Sequence, residues 1–331
     1  NREEFLALMR RVLALCRRLL SDEGMIFAHI DYRANAHVRL LMDEIFGEDN
    51  MLNEIVWVYQ SGGRSIHHFS RKHDTILFYR KTDQYDFNID AVKAPRVKPR
   101  TSHMRRHVDP DGRVYRSIRS GGRVYTYYDD DPIAPTDVWQ DLNHLQQKDP
   151  ERTGYDTQKP LALLDRIVRC ASRPGDWVLD PFAGSATALE AAARNGRNFI
   201  GIDRCPMTLN IARRRLAGAD WRILTEDAPA QGGAPLCEAE VHTGVGFYHV
   251  LLRSFRADIP ALAAGAGPLD AVDNWSVGYL RPEGYVVMAE FARGKRRPEL
   301  ETELAVPAYS GQLALCVNDV TGHGWLYALD R

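Results

Sequence analysis

Residues 177–203 read W-V-L-D-P-F-A-G-S-A-T-A-L-E-A-A-A-R-N-G-R-N-F-I-G-I-D. The order is an apolar strand, a glycine-bearing turn, a helix and a second strand ending in a carboxylate. Val178 and Leu179 follow the turn Pro174-Gly175-Asp176, which suits a central parallel strand covered on both faces. Asp180 and Pro181 end it. Gly184 admits backbone conformations that a Cβ bars, and the amides of Ser185 to Thr187 open the next helix, where the polar end of a ligand docks well. The run Thr187 to Arg194 favours helix and Asn195-Gly196 stops it. Asp203 follows Gly184 by 19 positions, close to the ~20-residue spacing that brings an acid to ribose hydroxyls in nucleotide-binding α/β units. The geometry expected is that of an adenosine pocket.

Two other readings compete. Strand-turn-helix units with one glycine also occur in doubly wound proteins with no ligand at the turn. A dinucleotide site calls for G-x-G-x-x-G, whereas this turn offers F-A-G-S-A. One glycine opens too little backbone for a pyrophosphate, so a cofactor without phosphates is favoured.

Asp180 to Ser185 with Thr187, preceded by T-Q-K-P at 157–160 and followed by G-I-D at 201–203, resembles the S-adenosylmethionine site of prokaryotic DNA amino-methyltransferases. The longer run at 152–165, R-T-G-Y-D-T-Q-K-P-L-A-L-L-D, is similar to the segment just before that family's cofactor strand. Ile30 to Asn50, N-E-I-V-W at 53–57 and H-D-T-I-L-F-Y at 73–79 resemble its catalytic half, in the order of the permuted, beta-like subgroup. The similarity covers roughly residues 1–220. It implies a Rossmann-like methyltransferase sheet, and cofactor contacts from Thr157, Lys159, Asp180, Pro181, Phe182, Gly184, Ser185, Thr187 and Asp203. It also implies transfer of a methyl group to a base flipped from double-stranded DNA, with adenine N6 the expected target. Cytosine N4 stays open, as does a noncatalytic DNA-binding or specificity subunit. The chain departs from the family at Ala186, where members usually have a second glycine.

The family's catalytic tetrapeptide, Asp/Asn/Ser-Pro-Pro-Tyr/Phe, occurs nowhere in the 331 residues, so no catalytic residue is assigned. The resemblance places that motif on a strand upstream of Asn1, beside the 177–180 strand. The expectation is therefore an N-terminally truncated chain, inactive alone, with a gap in its sheet or the Met25 to Ile30 strand abnormally paired. A restriction subunit or a second copy are the protein partners that the family admits.

With 44% hydrophobic and 26% charged residues, the chain can bury an α/β core plus an appendage. Cysteines at 16, 170, 205, 237 and 316 show no paired spacing, so reduced thiols in a cytoplasmic protein are expected, with no disulfide and no metal. No apolar run approaches the ~18 residues of a membrane span.

From Lys93 to Arg123 there are ten cationic side chains against two acids, in a protein of net charge −1. His103, His107, Tyr115 and Tyr125 are interleaved, and Asp109-Pro110-Asp111-Gly112 is a hairpin turn signature. Phosphate attraction is the functional reading, and a solvated arginine-rich loop the plain one. The segment lies between the two halves, where the permuted subgroup recognises its target. This assigns Arg96, Lys98, Arg100, Arg105, Arg106, Arg113, Arg116 and Arg119 to DNA. Arg64 joins them from the loop Gln60 to Lys72, whose adjacent His67 and His68 point apart and make a poor metal site.

Helices are expected from near Arg2 to Leu20, where Phe5, Leu8, Met9, Val12, Leu15, Cys16, Leu19 and Leu20 fall at helical spacing on an apolar face, over Asn35 to Phe46, and over Leu161 to Ala171. Strands are expected at 25–30, 54–59 and 74–80. Asp31, ending the first strand, either faces the pocket or caps the next helix. The organisation read from the sequence is a truncated catalytic half (1–90), a basic recognition insert (91–150) and a cofactor half (151–224). A linker (225–236) and a small β-rich domain (237–331) follow. That last part is acidic, with eight Lys/Arg against 14 Asp/Glu from Thr225 onward, and its role is not legible.

Overall fold

The computed structural model describes residues 1–59, 65–96, 104–205, 207–224, 235–257, 259, 262, 266–282, 284–293 and 298–330. The chain divides into two units. The first holds residues 1–152, 159–178 and 194–198, and the second 153–158, 179–193 and 199–331.

Unit 1 is α/β. Its elements are α1 (Arg2–Leu19), β1 (Met25–Ile30), α2 (Asn35–Phe46), β2 (Met51–Val58), β3 (His73–Arg80), β4 (Arg105–Val108), β5 (Val114–Ser120), β6 (Arg123–Tyr128), β7 (Val138–Trp139) and α3 (Leu161–Ala171). A four-stranded sheet has the order β1-β3-β2-β7. β3 is its antiparallel centre, with Ile26 opposite Tyr79 and Ile55 opposite Ile76. Successive side chains of a strand point to opposite faces. Leu77 and Tyr79 therefore pack with Met9 and Leu13 of α1 and Val38, Leu41, Met42 and Phe46 of α2. Ile76 and Phe78 pack on the other face with Ile55, Trp57, Trp139 and Leu163 of α3. The α1 stripe differs from expectation: Met9, Leu13 and Cys16 are buried, whereas Phe5, Leu8, Leu15 and Leu19 are exposed. Helical spacing marks a broad apolar face, and the neighbouring helix covers only part of it.

β4, β5 and β6 form a separate antiparallel sheet. The expected turn is present, with Asp109 N donating to Arg113 O at 3.0 Å.

β8 (Trp177–Asp180), α4 (Thr187–Arg194) and β9 (Asn198–Gly201) carry the chain across the division between units. Asn198 N donates to Asp176 O and Ile202 N to Asp180 O, so both partners advance together and the strands are parallel. The 177–180 strand is parallel to its partner as read, but the cover expected on both its faces is not present. Trp177 is 67% exposed and Val178 and Leu179 only half-buried, because β9 is the one strand hydrogen-bonded to β8 among the described residues.

Unit 2 continues with α5 (Met207–Arg215), β10 (Leu236–Thr243), β11 (Phe247–Arg256), β12 (Val272–Arg281), β13 (Gly284–Ala292), β14 (Glu303–Pro307), β15 (Gln312–Asp319) and β16 (Gly324–Ala328). Sheets of order β10-β11-β14 and β13-β12-β15-β16 enclose a core containing Leu252, Phe255, Trp275, Tyr279 and Leu313. The C-terminal part is β-rich as expected. Leu236, placed in the linker by the sequence, opens a strand, and residues 225–234 of that linker lie outside the described residues. Among the described residues, no helix is long and apolar enough to cross a membrane.

A polar ladder fastens α5 to these sheets. Asn210 Nδ2 donates to Asp319 O (2.9 Å), Asn274 Nδ2 to Asn210 Oδ1 (2.7 Å) and Asn318 Nδ2 to Asn274 Oδ1 (2.8 Å). All three asparagines are almost fully buried. Arg213 pairs with Glu290 and Arg214 with Asp273, while Arg215 pairs with Glu190 of α4. Removing the middle of the ladder by Asn274→Ala strands two buried polar atoms, at about 1–3 kcal/mol each. A loss of about 3 kcal/mol in urea unfolding is expected, and a loss under about 1 kcal/mol would mean that the ladder holds nothing.

Candidate functional site

The turn after β8 is built by its own backbone and by one carboxylate. Gly184 sits at φ +48° and Ala186 at φ +55°. The left-handed region suits glycine, and an L side chain there costs roughly 1 kcal/mol, which is the physical sense of the glycine usual at position 186. Asp203 Oδ2 accepts from Gly184 N and Oδ1 from Cys205 N, both at 2.8 Å. The 19-residue spacing read as reach toward a ribose thus fastens the turn to the end of the second strand. Ala186 N donates to Ala183 O at 2.7 Å. Ser185 and Thr187 are buried, their hydroxyls 2.9 Å apart.

Sequence reasoning missed Tyr155. A Cβ at position 184 would lie 3.0 Å from Tyr155 Cε1, so the ring rests on the bare glycine backbone. Burial raises the Tyr155 pKa, and the charges of Asp203 and Cys205 add to the effect. Its only signal was its place inside the 152–165 run.

Asp180 is the electrostatic centre of the turn. Burial pushes its carboxyl pKa up, the Phe182 amide at 3.0 Å pulls it down, and Asp203 pushes it up again. Neither carboxylate has an ion-pair partner among the described residues. Thr157 and Pro181 belong to the same unit, and Phe182 is 49% exposed.

Lys159 belongs to unit 1, where it joins a cluster that the sequence did not announce. Burial lowers the Lys159 pKa and the Asp74 charge partly restores it. Burial works to raise Asp74, but His29, Tyr59 and Lys159 outweigh it and hold the carboxyl below its usual range. His29 Nε2 lies 3.1 Å from Asp74 Oδ2, and Tyr59 OH donates to Oδ1 at 3.3 Å. Asp31 neither caps α2 nor stands free: its carboxylate takes the amide and guanidinium of Arg33.

Of the DNA candidates, Arg64, Lys98 and Arg100 lie outside the described residues. Arg105, Arg106 and Arg119 are exposed. Arg113 pairs with Asp130 at 2.8 Å and covers the Tyr128 ring, and Arg116 pairs with Asp129 at 3.0 Å. Arg96 has a buried Nε without a partner among the described residues. Among those residues, no group of three His, Cys, Asp or Glu side chains gathers to hold a metal.

Gly184→Ala should destabilise the fold by roughly 1–2 kcal/mol through its φ and the Tyr155 ring. Adding Tyr155→Ala should recover the steric part, giving non-additive urea midpoints in a double-mutant cycle, and strict additivity would refute the contact. A carboxyl pKa raised by folding contributes stability that is complete below its unfolded value, near 3.8, and lost as pH rises through the folded value. Asp180→Asn keeps the acceptor for Phe182 N without the charge. At neutral pH it should unfold at higher urea than the parent, and the difference should close in acid.

The N6/N4 DNA methylase family model matches residues 1–214. The chain is 29% identical over 259 residues to the type II methyltransferase M.EcaI of Enterobacter cloacae, covering 64% of this chain and 57% of that protein. It is 32% identical over 214 residues to the DNA adenine methyltransferase YhdJ of Escherichia coli K12, covering 64% of this chain and 67% of that one. The solved M1.HpyAVI–SAM complex overlaps at TM-score 0.42 and 23% identity, covering 63% of this chain and 81% of that one. The chain thus spans little more than half the length of M.EcaI. With the family model matching well over half of its residues, the chain belongs to the N6/N4 DNA methylase family.

Proposed function

We propose that this chain is the cofactor-holding part of a DNA methyltransferase that moves a methyl group from S-adenosylmethionine to the exocyclic N6 of adenine in duplex DNA. The observation that carries the cofactor is the charge balance at the turn. Asp180 is a half-buried, desolvated carboxylate beside Asp203, and neither meets a cation among the described residues. A desolvated negative charge with no cation beside it opposes folding unless something compensates it. A ligand bearing a sulfonium and an ammonium supplies that compensation, and one without phosphates suits a turn with a single glycine. When bound, S-adenosylmethionine supplies an activated methyl group on its sulfonium.

The chain's own work is binding and exclusion of water. Gly184 keeps the backbone bare, Tyr155 walls it, Asp203 fixes its conformation, and Asp180 presents charge. An exocyclic amine is a poor nucleophile because its lone pair is delocalised into the ring, so alignment with the methyl group dominates the rate. The E. coli relative's name, DNA adenine methyltransferase, favours N6 over N4.

Titration calorimetry with S-adenosylmethionine on the folded protein tests the cofactor. Labelled methyl transfer to duplexes with either adenine or cytosine as the sole acceptor tests the target. Uptake of the methyl donor and labelled adenine are expected. Absence of uptake by folded protein overturns the cofactor reading and leaves a noncatalytic DNA-binding subunit, and label on cytosine overturns the choice of N6.

A further inference from the structure

The tip of the β5–β6 hairpin carries exposed apolar side chains and cations that make no ion pair among the described residues. Gly121 and Gly122 join the strands at φ +56° and +77°, the two-residue turn whose twist matches paired strands. Ile118 stands opposite Tyr125, Arg119 opposite Val124 and Ser120 opposite Arg123. Cross-strand partners share a face, so Ile118, Tyr125 and Arg123 lie on one face of the ribbon, and Arg119 and Val124 on the other. Ile118 is 39% exposed, Tyr125 45% and Val124 58%. Arg119 and Arg123 are exposed, with no acid paired to them among the described residues.

The base of the same sheet is the opposite. Arg113 and Arg116 are held by Asp130 and Asp129, His107 stacks on Tyr115 at 5.0 Å, and Tyr115 meets Tyr128 at 5.6 Å with the rings tilted. Charge neutralised and rings packed at the base brace a ribbon whose end is bare.

We propose that this tip, residues 118–125, enters a groove of duplex DNA. Arg119 and Arg123 reach phosphates on either side, and Ile118, Val124 and Tyr125 meet base edges. A two-stranded ribbon fits the major groove, where thymine methyl groups accept apolar contact. The tip holds two cations and no acid, which complements the phosphate backbone. This inference rests on the DNA reading above and names the part of the insert that does the reading.

Fluorescence anisotropy of the full chain, with a mixed-sequence duplex about three helical turns long titrated against salt, tests it. Each phosphate contact contributes about 0.9 to the slope of log affinity against log salt. Arg119→Ser/Arg123→Ser should lower that slope by nearly 2 and weaken binding at least tenfold at moderate salt. Ile118→Ser/Tyr125→Ser should weaken binding several-fold with the slope unchanged. Circular dichroism and thermal midpoints should match the parent, since these side chains are exposed. Parental affinity and slope in both tip variants, with loss in Arg105→Ser/Arg106→Ser, would place DNA on β4 and overturn the proposal. So would tip variants that change only self-association in sedimentation. A parent chain with no salt-dependent duplex binding overturns the DNA reading itself, whatever the tip variants do.

Discussion

One carboxylate holds the turn after β8 together. Asp203 takes the amide of Gly184 on one oxygen and that of Cys205 on the other, tying a loop that glycine alone would leave free to the end of the second strand. Charge-assisted bonds of this kind are about twice as strong as neutral ones. They must be, because the same turn keeps Ala186 in a left-handed conformation and sets Tyr155 hard against position 184. The backbone of the turn is thus fixed by the chain's own bonds.

The turn is rigid but not optimised for stability. Asp180 is half-buried next to a second acid, so ionisation at neutral pH opposes folding. Strain and uncompensated charge gather where function requires them and are offset elsewhere in the fold. Here the offset lies in α5, which is bound to the β-rich sheets through three buried asparagines and to α4 through Arg215 and Glu190. The C-terminal strands therefore contribute to the unit that contains the turn.

The basic insert shows how misleading a charge count is. Ten cations in 31 residues read as one patch, yet Arg113 and Arg116 are tied to the acids at 129–131 just beyond that window. Arginine can brace a sheet or face a polyanion, and neighbours in space decide which.

By itself the sequence determined most of the elements, because apolar periods of 3.6 and 2 and the stop at Gly47 are local: β1, α2 and α3 fall where the spacing puts them. It also determined the turn at Gly184 and the family. It did not show β10, whose inward side chains Cys237, Ala239 and Val241 are small and only half-buried, nor β14. Tertiary structure alone decided that Asp203 turns inward on the loop and that Tyr155 covers Gly184. It alone joined Asp74 to His29, 45 residues earlier, and to Tyr59. Spacing along a chain fixes which face a residue occupies, whereas the partner of a charge or a ring is whatever distant segment folding brings within a few ångströms.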